Sequence, residues 1–137
     1  MPRYLLDTNI LSDAMWNRDG PVLKEIARVG QDQVCTSIIV AGEMRYGAAK
    51  RGSPRIARRV SELLSTIDVF ALEAPADRVY GDLRVTLERA GRIIGPNDLL
   101  IAAQTVALGL TLVTDNEREF SRVPGLMVEN WLRPLAN

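Results

Sequence analysis

The sequence predicts an α/β fold, a sandwich in which helices flank a mainly parallel sheet. Three observations predict it. Apolar runs too short for helices alternate along the chain with longer segments of helical period. Glycine and proline fall where such helices need to start and stop. No repeat, low-complexity stretch or Pro/Gly/Ser linker divides the 137 residues, so one domain spanning 1–137 is expected.

Tyr4-Leu5-Leu6 reads as a buried strand, and Asp7 or Asn9 can cap a helix directly after it. Asp19-Gly20-Pro21 marks a turn and a proline-initiated helix to about Val29. A second strand is expected over Gln33–Thr36, then a helix over Ile38–Lys50 that stops at Gly52. Ser53-Pro54 supplies a cap and first residue for a further helix, with Ile56, Val60, Leu63, Leu64 and Ile67 at helical spacing. Val69-Phe70 reads as a short strand. Ala76–Ala90 reads as a helix with Val79, Leu83 and Leu87 on one stripe and Gly91 as its stop. Pro96–Leu108 is apolar nearly all round, which marks a buried helix. Leu110–Val113 and Met127-Val128 complete the expected strands.

Composition removes whole classes of chemistry. The chain has no histidine, which excludes a Ser–His–Asp triad, histidine general-base ribonuclease chemistry and His-ligated zinc or haem. Its one cysteine, Cys35, excludes an internal disulfide and suits a reducing cytoplasm. Seventeen basic and 17 acidic residues balance, so net charge names no partner. The N-terminus has no long apolar run of a secretory signal, and no uncharged stretch is long enough to span a membrane; a soluble protein is expected. Any metal must sit on oxygen ligands, which favours Mg²⁺ or Mn²⁺, or Ca²⁺.

In open parallel sheets ligands bind beyond the carboxyl ends of the strands, which directs attention to the acids there. Asp7 follows the first strand, and Asp115 nearly follows Leu110–Val113. Asp98 lies in the first turn of the apolar helix, and Glu43 inside Ile38–Tyr46. Each also has a purely structural use: Asp7 as a cap, Asp98 against the helix dipole, Asp115 as a turn residue, Glu43 as a solvated acid. Brought together, several carboxylates cannot all stay ionised without a cation.

These residues resemble the motifs of the PIN-domain nucleases. Leu5-Leu6-Asp7-Thr8-Asn9 and Thr36-Ser37-Ile38 through Glu43-Met44-Arg45-Tyr46-Gly47 are similar to the first two. Ile94 through Ala103, around Asp98, resembles the third. Leu112-Val113-Thr114-Asp115-Asn116 with Phe120 and Val123-Pro124-Gly125-Leu126 resembles the fourth. The likeness spans nearly the whole chain and is greatest to the VapC-type toxins of toxin–antitoxin pairs.

The resemblance implies a three-layer sandwich and a metal-dependent endoribonuclease. By it Asp7 and Asp98 are the main Mg²⁺ ligands, with Mn²⁺ as a substitute. Glu43 completes the site directly or through water, and Thr8 and Thr114 support it. At the fourth motif many relatives carry an acid where this chain has Asn116. Asp115 is one residue earlier, so a fourth catalytic acid at Asp115, or a neutral ligand at Asn116, is left open. Hydrolysis without histidine would leave a 5′-phosphate and a 3′-hydroxyl. The resemblance further implies a structured RNA target such as a tRNA, a cognate antitoxin covering the acidic pocket, and a homodimer. Met15, Trp16, Met44, Tyr46 and Trp131 are candidate exposed contacts, with core packing as their other use.

Arg45, Lys50, Arg51, Arg55, Arg58 and Arg59 lie between Met44 and Ser61 with no acid among them, a block able to bind an RNA backbone or to serve as a solvated face. Aromatic residues total 5%, too few for an extended base-stacking platform. Three other readings compete. An aspartyl-nucleophile phosphatase wants a second acid where Asn9 stands and a late lysine, yet Lys24 and Lys50 are the only lysines. A receiver-like regulator also wants that lysine. A non-catalytic RNA- or partner-binding PIN-like module would keep the fold and lose the cleavage.

Overall fold

The computed structural model describes residues 1–133, which form a five-stranded, all-parallel sheet in the order β3-β2-β1-β4-β5. The strands are β1 (Tyr4–Leu6), β2 (Val34–Ser37), β3 (Asp68–Phe70), β4 (Thr111–Val113) and β5 (Met127–Glu129). The helices are α1 (Thr8–Trp16), α2 (Pro21–Val29), α3 (Ile38–Arg51), α4 (Pro54–Ser65), α5 (Ala76–Arg89), α6 (Pro96–Leu108) and α7 (Glu117–Phe120). The mainly parallel expectation holds for every pair of strands described.

Parallel strands covered on both faces read as unbroken apolar runs, and β1 does: Tyr4, Leu5 and Leu6 are all buried. Leu5, Leu6, Ile10, Ile101, Leu112, Val113 and Phe120 are 0% exposed and form the centre of the core. Each such side chain contributes roughly 1.5–3 kcal/mol. Local chemistry sets the element boundaries. Ser37 accepts from the Ile39 amide and starts α3, and Ser53 accepts from Ile56 and starts α4. Gly52 and Gly109 end α3 and α6 in the left-handed conformation at φ 65° and 69°, which glycine adopts without strain.

Sequence reading placed these elements within a residue or two. It missed α7, whose four residues are too few to show a helical period. Among the described residues no helix is long and apolar enough to cross a membrane. Met44 and Trp131 are core residues, at 5% and 8% exposure, and are not the exposed contacts considered for them. Met44 falls on the inward stripe of α3 with Val40 and Ala48, and Trp131 packs edge-on against Tyr4 at 5.1 Å between ring centres.

The strand order places the site. From β1 the chain moves outward through β2 to β3, then returns to lay β4 on the other side of β1. The connections diverge between β1 and β4, and in open parallel sheets such a divergence marks the crevice beyond the carboxyl ends of the strands where ligands bind.

Candidate active site

Asp7 is the residue after β1 and Thr114 the residue after β4, and both are buried. Asp7 serves two ends at once. Its Oδ1 accepts from the Thr8 amide at 2.9 Å and caps α1, while its Oδ2 accepts from the Thr114 hydroxyl at 2.8 Å. Thr8, in the first turn of α1, donates its hydroxyl to Glu43 Oε1 at 2.6 Å. Glu43 reaches this point from the second turn of α3, which starts at the carboxyl end of β2. Asp98 stands in the first turn of α6, where the helix N-terminus favours negative charge.

A further acid joins them. Glu119, in α7, accepts from the Gly95 amide and from Asn116 Nδ2, both at 2.6 Å, and lies within hydrogen-bonding reach of Asp98. Fully buried Phe120 anchors α7 and so fixes its neighbour Glu119. The sequence carried one signal for this residue: Asn116-x-x-Glu119 ahead of Phe120 is a helix-start spacing that sets an acid three positions after the cap.

The structure does not bring Asp115 to the other acids. Its side chain is exposed and accepts from Asn130 at 3.1 Å. β4 ends at Val113, Thr114 turns inward to Asp7, and the next residue is left facing solvent. Asn116 donates its Nδ2 to Glu119 at 2.6 Å and its backbone N–H to Thr114 Oγ1 at 3.0 Å, which ties it to both Asp7's partner and Asp98's neighbour. Glu119, rather than Asp115, is the acid the structure sets beside Asp98.

The electrostatics follow from this crowding. Burial pushes the Asp7 carboxyl up; the bonds from Thr114 and Thr8 oppose it, and Glu43 and Glu119 add to it. Asp98 is pushed up to about 7, first by burial, then by the shared hydrogen bond with Glu119 and the negative charges of Glu119, Asp7 and Glu43. Glu119 is raised by burial but lowered on balance by Gly95, Asn116, Asp98 and the Arg122 cation. The pair therefore carries its proton on Asp98. Burial takes the Cys35 thiol up to about 12, which makes it a poor nucleophile.

As the side chains are placed, no group of three acids among the described residues could hold a metal ion. Glu43 is turned to Thr8, and Glu119 to Gly95 and Asn116. The donor chemistry nonetheless fits a hard cation: the groups are all oxygen, they repel one another, and Mg²⁺ is commonly held by only one or two carboxylates plus water. Asn9, which a phosphatase would need as an acid, is exposed.

The basic block divides. Arg45 donates to Ser61, and Arg59 donates to the Met15 carbonyl and lies 4.7 Å over the Trp16 ring. Lys50 sits 6.0 Å from the Tyr46 ring centre. Arg51, Arg55 and Arg58 are exposed on α3 and α4.

Residues 4–126 match the PIN domain family. The chain is 39% identical over 132 residues to the tRNA(fMet)-specific endonuclease VapC of Shigella flexneri, covering 96% of this chain and 99% of that protein. It is 36% identical over 130 residues to Ribonuclease VapC2 of Rickettsia felis, covering 93% and 97%. The DNA-bound VapBC structure from Salmonella typhimurium superposes with a TM-score of 0.86 at 32% identity, over 96% of this chain and 99% of that one. The match of residues 4–126 to the family, with relatives 36% and 39% identical over nearly the whole chain, places it in the PIN domain family among the VapC ribonucleases.

Proposed function

We propose that the protein is a divalent-metal-dependent endoribonuclease toxin, neutralised by a cognate antitoxin, and that it acts as one nuclease domain. The observation that carries the metal-dependent site is the gathering of Asp7, Glu43, Asp98 and Glu119 at the β1/β4 crevice, with Asp98 raised to about 7 by its neighbours. A site that holds a carboxylic acid half-protonated near neutral pH is one that a cation would discharge.

In this reading Asp7 and Asp98 hold Mg²⁺, or Mn²⁺ in its place, with Glu43 and Glu119 reaching it through water or by turning from their present partners. The ion supplies charge stabilisation at the phosphate and a more acidic water for hydrolysis. The protein's own groups do the rest. Thr114 and the α1 N-terminus fix the Asp7 carboxylate. Thr8 fixes Glu43. Gly95 and Asn116 fix Glu119 beside Asp98, where the pair can take up or release a proton. Arg45, Lys50, Arg51, Arg55, Arg58 and Arg59 attract the RNA backbone.

A structured RNA such as a tRNA is the proposed substrate; relatives named tRNA(fMet)-specific endonucleases support it. Solved VapBC complexes among the similar structures support the antitoxin. Two copies are proposed to pair, supported by exposed Val85 and Ile93 on and beside α5. The cytoplasm, away from any membrane, is the proposed location.

Cleavage of a mixed small-RNA pool with Mg²⁺ tests the reading. Discrete fragments with 5′-phosphate ends are expected from the wild type, and none from Asp98→Asn or in EDTA. Fragments ending in a 2′,3′-cyclic phosphate, or cutting that persists in both controls, would overturn it.

A further inference from the structure

Glu43 lines two clefts. One, of about 170 Å³, runs between α1, α3 and α4 from Thr8 and Glu43 to Trp16 and Arg51. The other, of about 300 Å³, lies on the opposite side of Glu43 and is bounded by Ile38, Tyr46 and Asn97, the neighbour of Asp98. Each cleft carries an exposed aromatic ring, Trp16 at 51% and Tyr46 at 65% exposure. Each ring has a cation beside it. Arg59 lies 4.7 Å over Trp16 and is itself tied to the Met15 carbonyl at 3.3 Å, and Lys50 lies 6.0 Å from Tyr46. Neither ring is among the side chains packed against the core, so neither has a use in packing.

We propose that the two clefts receive the nucleotides on either side of the scissile phosphate, with Trp16 and Tyr46 as single-base stacking platforms. The inference rests on the nuclease reading above and deepens it. An aromatic face with a cation beside a phosphate path is the recurring way to grip single-stranded nucleic acid without reading its sequence. Arg51 in the first cleft and Lys50 beside the second are in place to meet the backbone phosphates that flank each base. The arrangement requires the strand to be unpaired where it is cut, since a base can stack on a side chain only after leaving its neighbours. Two isolated rings suffice, so the low aromatic content is no obstacle.

Binding can be read without cleavage. The Asp98→Asn protein, with Mg²⁺ present, is titrated with a short single-stranded oligoribonucleotide of mixed sequence. Trp16 emission is taken as the difference from the same protein carrying Trp16→Phe. Saturable quenching of that signal is expected; the affinity of every variant is read from the anisotropy of a fluorescein label on the oligonucleotide, and Trp16→Ala or Tyr46→Ala weakens binding by about tenfold. Trp16→Phe and Tyr46→Phe retain binding within about threefold, because the ring is kept. An oligonucleotide with abasic residues in its central positions binds as weakly as the alanine variants allow, and the two losses do not add.

Equal binding by the alanine variants, or by the abasic strand, would overturn the proposal while leaving the nuclease reading intact. So would a loss of antitoxin binding in these variants with RNA binding unchanged, which would make the face a protein dock. Quenching by RNA in a protein whose wild type cuts nothing in the pool would uphold the platforms and sink the nuclease reading instead.

Discussion

The Thr114 hydroxyl donates to Asp7 Oδ2 across 2.8 Å, although 107 positions separate the two residues in the chain. The bond joins the carboxyl ends of adjacent strands β1 and β4, and both side chains are buried. It does for one oxygen of Asp7 what the Thr8 amide does for the other. The carboxylate is thus held in one orientation before any ligand arrives.

Thr114→Val keeps the shape and removes the donor, leaving a buried carboxylate oxygen without its partner. It is expected to destabilise the protein by about 1–3 kcal/mol in urea unfolding. Thr114→Ser restores a hydroxyl and most of the loss.

Asp98 gives the metal-free protein a pH dependence whose sign is fixed. Its folded value is about 7 against an ordinary 3.8, so the folded state binds the proton more tightly between those values. Its stabilising contribution is full below the unfolded value and is lost as pH rises through about 7. The melting temperature without divalent ions should therefore fall across this window. Asp98→Asn should flatten the profile and be the more stable protein above neutral pH, by on the order of 1 kcal/mol once solvent screening of a half-buried group is allowed for.

Adding Mg²⁺ should reverse the effect. A cation that binds the folded state adds about 2.7 kcal/mol at a concentration a hundred times its Kd. Thermal melts at mildly alkaline pH should show this gain for the wild type. Asp7→Asn and Asp98→Asn should show little of it, and an equal gain in all three proteins would place the ion elsewhere.

Glu119 and Asp115 can be told apart directly. Glu119→Gln should lower Mg²⁺ affinity and cleavage by roughly 10–100-fold and let Asp98 return toward the ordinary carboxylate range. Asp115→Asn, on an exposed side chain bonded to Asn130, should leave cleavage within about twofold. Calorimetric Mg²⁺ titration alongside the cleavage rates separates loss of the ion from loss of the reaction.

Strands and helices were legible because their signals are local. The run Tyr4-Leu5-Leu6, the Ser53-Pro54 start and the apolar wheel of α6 each lie within one segment. Asp7, Glu43 and Asp98 could be marked as candidates because each occupies the end of a strand or an early turn of a helix, the places a parallel sheet gathers. For Asp7 the expected capping role is seen in one oxygen, which caps α1, while the other accepts from Thr114. Glu119 was hidden because the Asn116-x-x-Glu119 spacing marks only a helix start, while its contacts to Gly95 and Asp98 are long-range and α7 is too short to show a period. Met44 looked like a surface candidate by residue type, and only the i, i+4 stripe with Val40 and Ala48 assigns it to the core.

The strand order also sets a timetable. β1 is made first and lies between β2 and β4, so the middle of the sheet stays half open until β4 leaves the ribosome. Asp7 and Glu43 emerge early; Thr114 and Glu119, which orient and complete their surroundings, come near the close of the described chain. A nascent fragment holds acids but no assembled edge. The edge is thus complete only once β4 and α7 have joined a sheet that β1 began.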